Sequence, residues 1–338
     1  MSLPRAHGAP LVEGWMRTEP EDFVVREQLS FVPGEGGEHL WLRIQKRLWN
    51  TMDVAQWLAK HAKLPLRAVG FSGLKDRRAV TEQWFSLHLP GKADPDFSQL
   101  PEGLVVLEQV RHGRKLNRGT HIANEFVLRL RQLTGELEAV PERLAAIASQ
   151  GVPNYFGEQR FGRGGQNFPR AQAWLLGEGE APRKVATRSL WLSAVRSELF
   201  NQVLAARVQD GSWNQLITGD VLQPEGSRGL FLSTDDERSA ERLHNKEVNL
   251  TGPLVGTGGL EPVAASAEFE AQILAPHQPL IQALCELKME AQRRSLRLLV
   301  SRLEWQLEDD LLTIVMQLPK GAFATTVLAE LGNWKTAI

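Results

Sequence analysis

The sequence predicts an α+β protein in which a mostly antiparallel sheet is interrupted by an inserted, largely helical α/β segment. Three observations carry this prediction. Alternating, strand-like stretches crowd the first 150 residues. From residue 151 glycine-dense and then helical patterning takes over. Strand texture returns only near the end, as a hairpin too small to stand alone. That hairpin therefore completes the first sheet. The expected layout is one domain from 1–150 plus 299–338 and an insertion at 151–298.

The elements follow in order. "DFVVREQLSF" (22–31) and "EHLWLRIQKR" (38–47) alternate and are separated by the turn-rich "VPGEGG", which predicts a hairpin. Asn50 is placed to cap a helix over "TMDVAQWLAKHAK", with Asp53 in its first turn and a stop near Leu64-Pro65. "GFSGLKDRRAVTEQWFSL" (70–87) reads as strand, loop and strand. "FVLRLRQL" (126–133) alternates again, and "ELEAVPERLAAIASQ" is a helix after a short turn. In the insertion, "SLWLSAVRSELFNQVLAARVQD" (189–210) has apolar residues at helical spacing. "FEAQILAPHQPLIQALCELKMEAQRR" (269–294) is helical with a break at Pro276 and Pro279. "LRLLVSRLEWQLE" and "LLTIVMQL" pair around Asp309-Asp310, and "GAFATTVLAEL" is a closing helix.

Composition narrows the function. The chain has 338 residues, 42% hydrophobic and 23% charged, as in ordinary globular proteins. Its single cysteine, Cys285, allows no internal disulfide, and the amino-terminal stretch has no apolar core of signal length. A cytoplasmic protein without membrane association is expected. The formal net charge of −1 does not announce a nucleic-acid binder, but the charges are segregated. Arg111, Arg114, Lys115 and Arg118 stand in "RHGRKLNRG" without an acid. Arg160, Arg163 and Arg170 follow, and Arg293, Arg294 and Arg297 form a third cluster. Familiar motifs fail. "GFSGL" lacks the last glycine of a nucleophile elbow. "GEGGEH", "GRGGQN" and "GTGGLE" lack the third glycine of a dinucleotide fingerprint, and the eight histidines show no metal-ligand spacing. These failures remove most cofactor-dependent and metal-dependent chemistries.

What survives is one aspartate in a basic, glycine-bearing loop. An aspartate in a loop is ordinarily a turn former. Asp76, however, is surrounded by Lys75, Arg77 and Arg78, which favour the ionised carboxylate and keep it available for attack. Gly70 and Gly73 allow a sharp turn and the close approach of a bulky substrate.

"GFSGLKDRRAVTEQWFSL" closely resembles the signature of the TruD family of tRNA pseudouridine synthases. "PEDFVVRE", "GEHLWLRI", "NTMDVAQWLAK", "GVPNYFGEQRFGRGGQN", "SLWLSAVRSELFNQ" and "PKGAFATTVLAEL" resemble family segments in family order. The resemblance implies an isomerisation of uridine to pseudouridine, without cofactor or metal, in a glutamate-type tRNA, at uridine 13, by a pseudouridine synthase domain with an inserted TRUD domain. It implies Asp76 as the essential aspartate, acting on the ribose C1′, on the uracil C6, or first on a ribose proton. It further implies that Phe23, Asn124 and Phe323 line a pocket for a flipped-out base. Arg17 stands where the family carries a basic residue. Arg17, Lys75, Arg77, Arg78, Arg111, Lys115, Arg118, Arg160 and Arg163 are candidate RNA contacts. Tyr155, Phe156 and Phe161 suit either base stacking or packing. A monomer with no obligate protein partner is expected. The alternative from another class is a non-catalytic RNA-binding or RNA-folding protein of the same fold.

Overall fold

A computed structural model describes residues 3–233 and 236–337, the side chain of Arg163 excepted. The chain runs through β1 (Val12–Met16), β2 (Phe23–Gln28), β3 (Glu35–Arg47), α1 (Thr51–His61), β4 (Val69–Phe71), β5 (Val80–His88), β6 (Leu104–His112), β7 (Ala123–Gly135) and α2 (Val140–Gln150). Then come β8 (Val152–Pro153), α3 (Asn167–Leu175), α4 (Val185–Gln209), β9 (Val221–Pro224), β10 (Phe231–Leu232) and α5 (Asp236–His244). β11 (Val248–Leu254), α6 (Ala264–Leu274), α7 (Gln278–Glu286), β12 (Gln292–Ser295) and β13 (Arg297–Leu298) complete the middle. β14 (Ser301–Glu308), β15 (Leu311–Pro319), α8 (Ala324–Ala329) and β16 (Gly332–Thr336) end the chain.

Two compact units result. One comprises residues 10–148, 300–324 and 331–338, the other residues 1–9, 149–299 and 325–330. The first nine residues and residues 325–330 thus group with the middle of the chain, whereas the sequence assigned both to the first domain.

The first unit is a ten-stranded sheet with the order β14-β15-β7-β2-β5-β3-β6; β1 pairs with β7 and β16, and β4 with β5. Pairing is antiparallel except at β1–β16 and β2–β5. The α+β class and the terminal hairpin of β14 and β15 agree with expectation. The hairpin expected between 22–31 and 38–47 does not form, because β5 lies between β2 and β3 and pairs with both. Two alternating segments beside a turn satisfy a local rule. β5 offers each of them a partner that buries the inward residues.

One face of this sheet carries an apolar cluster. Leu40, Leu42 and Ile44 of β3 and Phe85 and Leu87 of β5 pack on Val54, Ala55 and Leu58 of α1. Each such large side chain contributes about 1.5–3 kcal/mol on burial. The amino-terminal end of α1 is closed by Asn50, whose side chain accepts from the Asp53 N–H at 2.9 Å.

The second unit is built round α4, a 25-residue helix. Phe200, Leu204 and Val208 of that helix pack with Leu222, Val248 and Leu250 from its small sheet and with Leu296 beyond β12. Tyr155 and Phe156 are buried in this cluster, so they are core rather than platforms for RNA bases. Arg294 stacks on the Phe156 ring at 4.2 Å and Arg160 lies 5.2 Å from it. Arg293 is ion-paired to the buried Glu270, and Arg297 is buried. The third basic cluster is therefore largely internal, because its residues fall on strands β12 and β13 rather than on the end of a helix. Among the described residues no helix is long and apolar enough to cross a membrane.

Candidate active site

The strand register decides what surrounds the loop at residues 72–78. Across the inner face, Lys46 of β3 stands beside Thr81 of β5, Thr81 beside Val25 of β2, and Val25 beside Phe126 of β7. Period-2 alternation then places Ile44, Gln83, Glu27 and Asn124 one step along the same face. The loop between β4 and β5 lies over these polar ends of otherwise apolar rows.

Side chains from those rows pin its backbone. Gln83 donates to the Gly73 carbonyl, and the Lys75 N–H donates to Thr51 Oγ1 at 2.9 Å. Thr51 in turn donates to Gln83 at 3.0 Å. Lys46, wholly buried, donates to the carbonyls of Trp49 at 2.7 Å and Asp76 at 3.0 Å, with that of Lys75 at 3.5 Å. Gly70 serves a different purpose from the one its position suggests. A Cβ there would sit 2.3 Å from the Leu116 carbonyl oxygen, so the glycine admits a neighbouring backbone rather than a substrate.

The pinned loop presents Asp76 with its side chain 42% exposed. Arg17 Nη2 donates to Asp76 Oδ2 at 2.8 Å, leaving Oδ1 without a hydrogen-bond partner among the described residues. The same guanidinium lies 3.9 Å over the Phe23 ring, which meets Phe126 edge-on at 6.1 Å. Arg17 holds φ at +58°, a conformation costly for a side-chain-bearing residue and typical of sites that need a fixed direction.

Lys75 turns the other way. Its side chain is 6% exposed and meets Glu27 at 3.5 Å, and Glu27 stands 3.3 Å from His121 Nδ1. Burial raises the Glu27 carboxyl above its ordinary range, against the pull of Lys75 and the Trp84 N–H. Burial likewise lowers the Lys75 ammonium, and Glu27 opposes it. His121 is lowered to about 4 by burial, helped by the charges of Lys75 and Lys320. Its imidazole is therefore neutral, and its Nδ1 lies 2.6 Å from Ser72 Oγ.

The structure thus brings Arg17 into direct contact with both Asp76 and Phe23. Asn124 pairs across the strands with Glu27 and with Leu318, is 8% exposed, and has an Oδ1 with no hydrogen-bond partner. Phe323 is half-buried in the turn after β15; the Lys320 N–H of that turn donates to the Ile122 carbonyl at 3.0 Å. The distant segments that carry Phe23, Asn124 and Phe323 are therefore neighbours through β2, β7 and β15.

The candidate RNA contacts divide. Lys75 is buried and paired, so it is not placed to meet RNA. Arg111 is occupied by Asp94 and by the carbonyls of Leu89 and Lys92, and braces its own loop instead. Arg160 donates to Ser193 at 3.2 Å. Arg77, Arg78, Lys115 and Arg118 are exposed; Arg77 donates to the Leu48 carbonyl, Lys115 to that of Arg67, and Arg118 lies 5.4 Å from the Phe71 ring. The side chain of Arg163 lies outside the described residues.

Sequence reasoning missed Lys46, Glu27 and His121. For two of them a signal was present. Leu40, Leu42, Ile44 and Lys46 share one parity along β3, and Phe23, Val25 and Glu27 share one along β2. A charge that ends an inward-facing row is a buried charge, and buried charges collect at working sites.

A partly exposed carboxylate held by a guanidinium that itself lies over an aromatic ring marks the candidate site. Residues 5–169 and 181–331 match the family described as tRNA pseudouridine synthase D (TruD). The chain belongs to that family, whose members are isomerases. It is 47% identical to the tRNA pseudouridine synthase D of Pseudomonas putida strain W619, over 97% of this chain and 94% of the relative. It is 44% identical to that of Aeromonas hydrophila, over 97% and 93%. A crystal structure from Methanosarcina mazei, described as a TruD-type tRNA pseudouridine synthase, shares the fold with a TM-score of 0.77 at 22% identity, over 95% of this chain and 94% of that one.

Proposed function

We propose that this chain converts one uridine of a glutamate-type tRNA, uridine 13, to pseudouridine, with Asp76 as the nucleophile and no cofactor. The observation that carries the reading is Arg17, which bonds Asp76 and lies over the Phe23 ring. The names of the 47% and 44% identical relatives support tRNA as the substrate.

The reaction breaks the N1–C1′ bond of the uridine, turns the uracil, and joins its C5 to C1′. The C5 proton leaves and N1 gains one, so nothing is consumed. In this site the target nucleotide leaves its stack and the uracil lies against Phe23. Arg17 holds Oδ2 of Asp76 and keeps Oδ1 directed at the nucleotide. A charge-assisted bond of this kind fixes both distance and direction. Asn124 Oδ1, buried and unpartnered, suits the N3–H of the uracil, and Phe323 closes the pocket from the turn after β15. Exposed Arg77, Arg78, Lys115 and Arg118 hold phosphates, which adds affinity and salt sensitivity without reading sequence. The chain acts as a cytoplasmic monomer, in which the unit of residues 10–148, 300–324 and 331–338 has the catalytic role and the unit holding residues 149–299 is the insertion.

The test is pseudouridine formation on an unmodified glutamate tRNA transcript, mapped by nucleotide, for wild type and Asp76→Asn. Wild type is expected to modify position 13. The variant is expected to lose turnover by at least about 1,000-fold while keeping its tRNA affinity, since a nucleophile is being removed. Equal turnover in the two proteins refutes the nucleophile. Binding without product in either supports a pure RNA binder.

A further inference from the structure

We propose that Lys46 is a positioning residue for the isomerisation, its buried ammonium holding the Lys75 and Asp76 carbonyls inward and so setting the direction of the Asp76 carboxylate. The proposal rests on the reading of Asp76 as the nucleophile.

The geometry is one of matched numbers. A lysine ammonium has three N–H donors. Lys46 Nζ faces three carbonyl oxygens, those of Trp49, Asp76 and Lys75, at 2.7, 3.0 and 3.5 Å. In an extended chain successive carbonyls point to opposite sides. Here the carbonyls of Lys75 and Asp76 point to one atom, which requires a turn and something to hold it. The turned backbone sends the Asp76 side chain outward to Arg17 and the Lys75 side chain inward to Glu27. The same ammonium, through the Trp49 carbonyl, ties the loop to the segment that enters α1.

Packing alone does not call for this residue. Leu40, Leu42 and Ile44 precede Lys46 on the inward parity of β3, and a further apolar side chain would continue the row. A buried cation instead carries a desolvation cost. No carboxylate of the described residues forms an ion pair with Lys46. Its charge is served by three backbone dipoles and by the nearby Asp76. Two charged groups act on it, Asp76 favouring the ammonium and Lys75 opposing it, and burial outweighs both. The result is a pKa lowered to about 8. Below that pH Lys46 has three donors for three acceptors. Above it the amine has two donors and turns a lone pair towards a carbonyl, and the loop loses one of its three holds.

The experiment measures single-turnover rate and tRNA Kd from pH 6.5 to 9.5 for wild type, Asp76→Asn, Lys46→Met and Lys46→Cys, the last before and after aminoethylation to a thioether analogue of lysine. Wild type treated with the same reagent controls for Cys285. Lys46→Met is expected to lose about 100-fold in rate, the size of a misplaced reacting group, with Kd changed less than about threefold. Wild type is expected to slow as pH rises through about 8. Aminoethylation is expected to restore the rate and to move this limb to lower pH, because the analogue's ammonium is more acidic; titration of the uridine itself would not move.

A Lys46→Met rate within threefold of wild type overturns the proposal. So does a folded, aminoethylated protein without recovery, or a restored protein whose limb stays in place; this arm decides the matter even if Lys46→Met fails to fold. An inactive Asp76→Asn beside a fully active Lys46→Met removes the positioning role alone. An active Asp76→Asn removes the nucleophile reading and this one with it.

Discussion

The two faces of the central sheet carry charge in opposite ways. On the outer face a ladder crosses the strands, from Arg302 of β14 to Glu125 of β7, Arg26 of β2, Glu82 of β5, Arg43 of β3 and Glu108 of β6. Its members alternate in sign, its separations run from 2.8 to 3.6 Å, and its arginines are 39–55% exposed. On the inner face the charges beneath the Asp76 loop are buried: Lys46, Lys75 and Glu27, with the neutral His121 among them. The outer arginines reach water while Glu82 and Glu125 are only 15% and 12% exposed, and the members of the ladder neutralise one another pair by pair. The inner charges are aimed at the backbone and side chains that hold one loop. Identical residue types thus act as surface in one place and as scaffolding for a site in the other.

That contrast can be broken or sharpened by substitution. The largest effect is expected at the buried pair. Lys75→Met leaves Glu27 without its ammonium partner and should destabilise the protein by about 3–5 kcal/mol in urea denaturation at neutral pH. A loss below about 1 kcal/mol, the size of a surface pair, would put Lys75 with the outer ladder. Arg17→Lys comes next. A lysine keeps the charge but not the planar fork, and should lower the single-turnover rate about 10- to 100-fold with tRNA affinity retained. An unchanged rate would reduce Arg17 to a source of charge. The smallest effect belongs to the outer face. Glu125→Gln breaks its links to both Arg26 and Arg302, yet should cost less than about 1 kcal/mol, and less still at high salt. A larger, salt-insensitive loss would show the ladder to be an integral part of the sheet.

How much of this was legible depends on how far apart the cooperating residues lie. Asn50 capping α1 and Asp309-Asp310 turning β14 into β15 involve neighbours in the chain, and both were plain in the sequence. The pairing of β2 was not, since it depends on whether β3 or β5 reaches it. β16 was not foreseen either; "GNWKT" becomes a strand only because β1 lies parallel to it. Arg111 looked like a phosphate contact because its neighbours are basic, but Asp94, 17 residues earlier, returns to it.

The sequence by itself determined the α+β class, the interruption of the sheet, the cap of α1, the closing hairpin and, through several motifs in order, the family with Asp76 at the centre of its signature. These are matters of period, of neighbouring residues and of pattern, which a linear chain carries directly. Only the tertiary structure decided that Lys75 faces Glu27 while Asp76 faces Arg17. Only it showed that Lys46 lies beneath them, and that the basic cluster at 293–297 is largely internal. The reason is physical. Alternation tells which residues share a face, but which charge meets which acceptor on that face depends on strand order and register, and those are settled by contacts between residues tens to hundreds of positions apart.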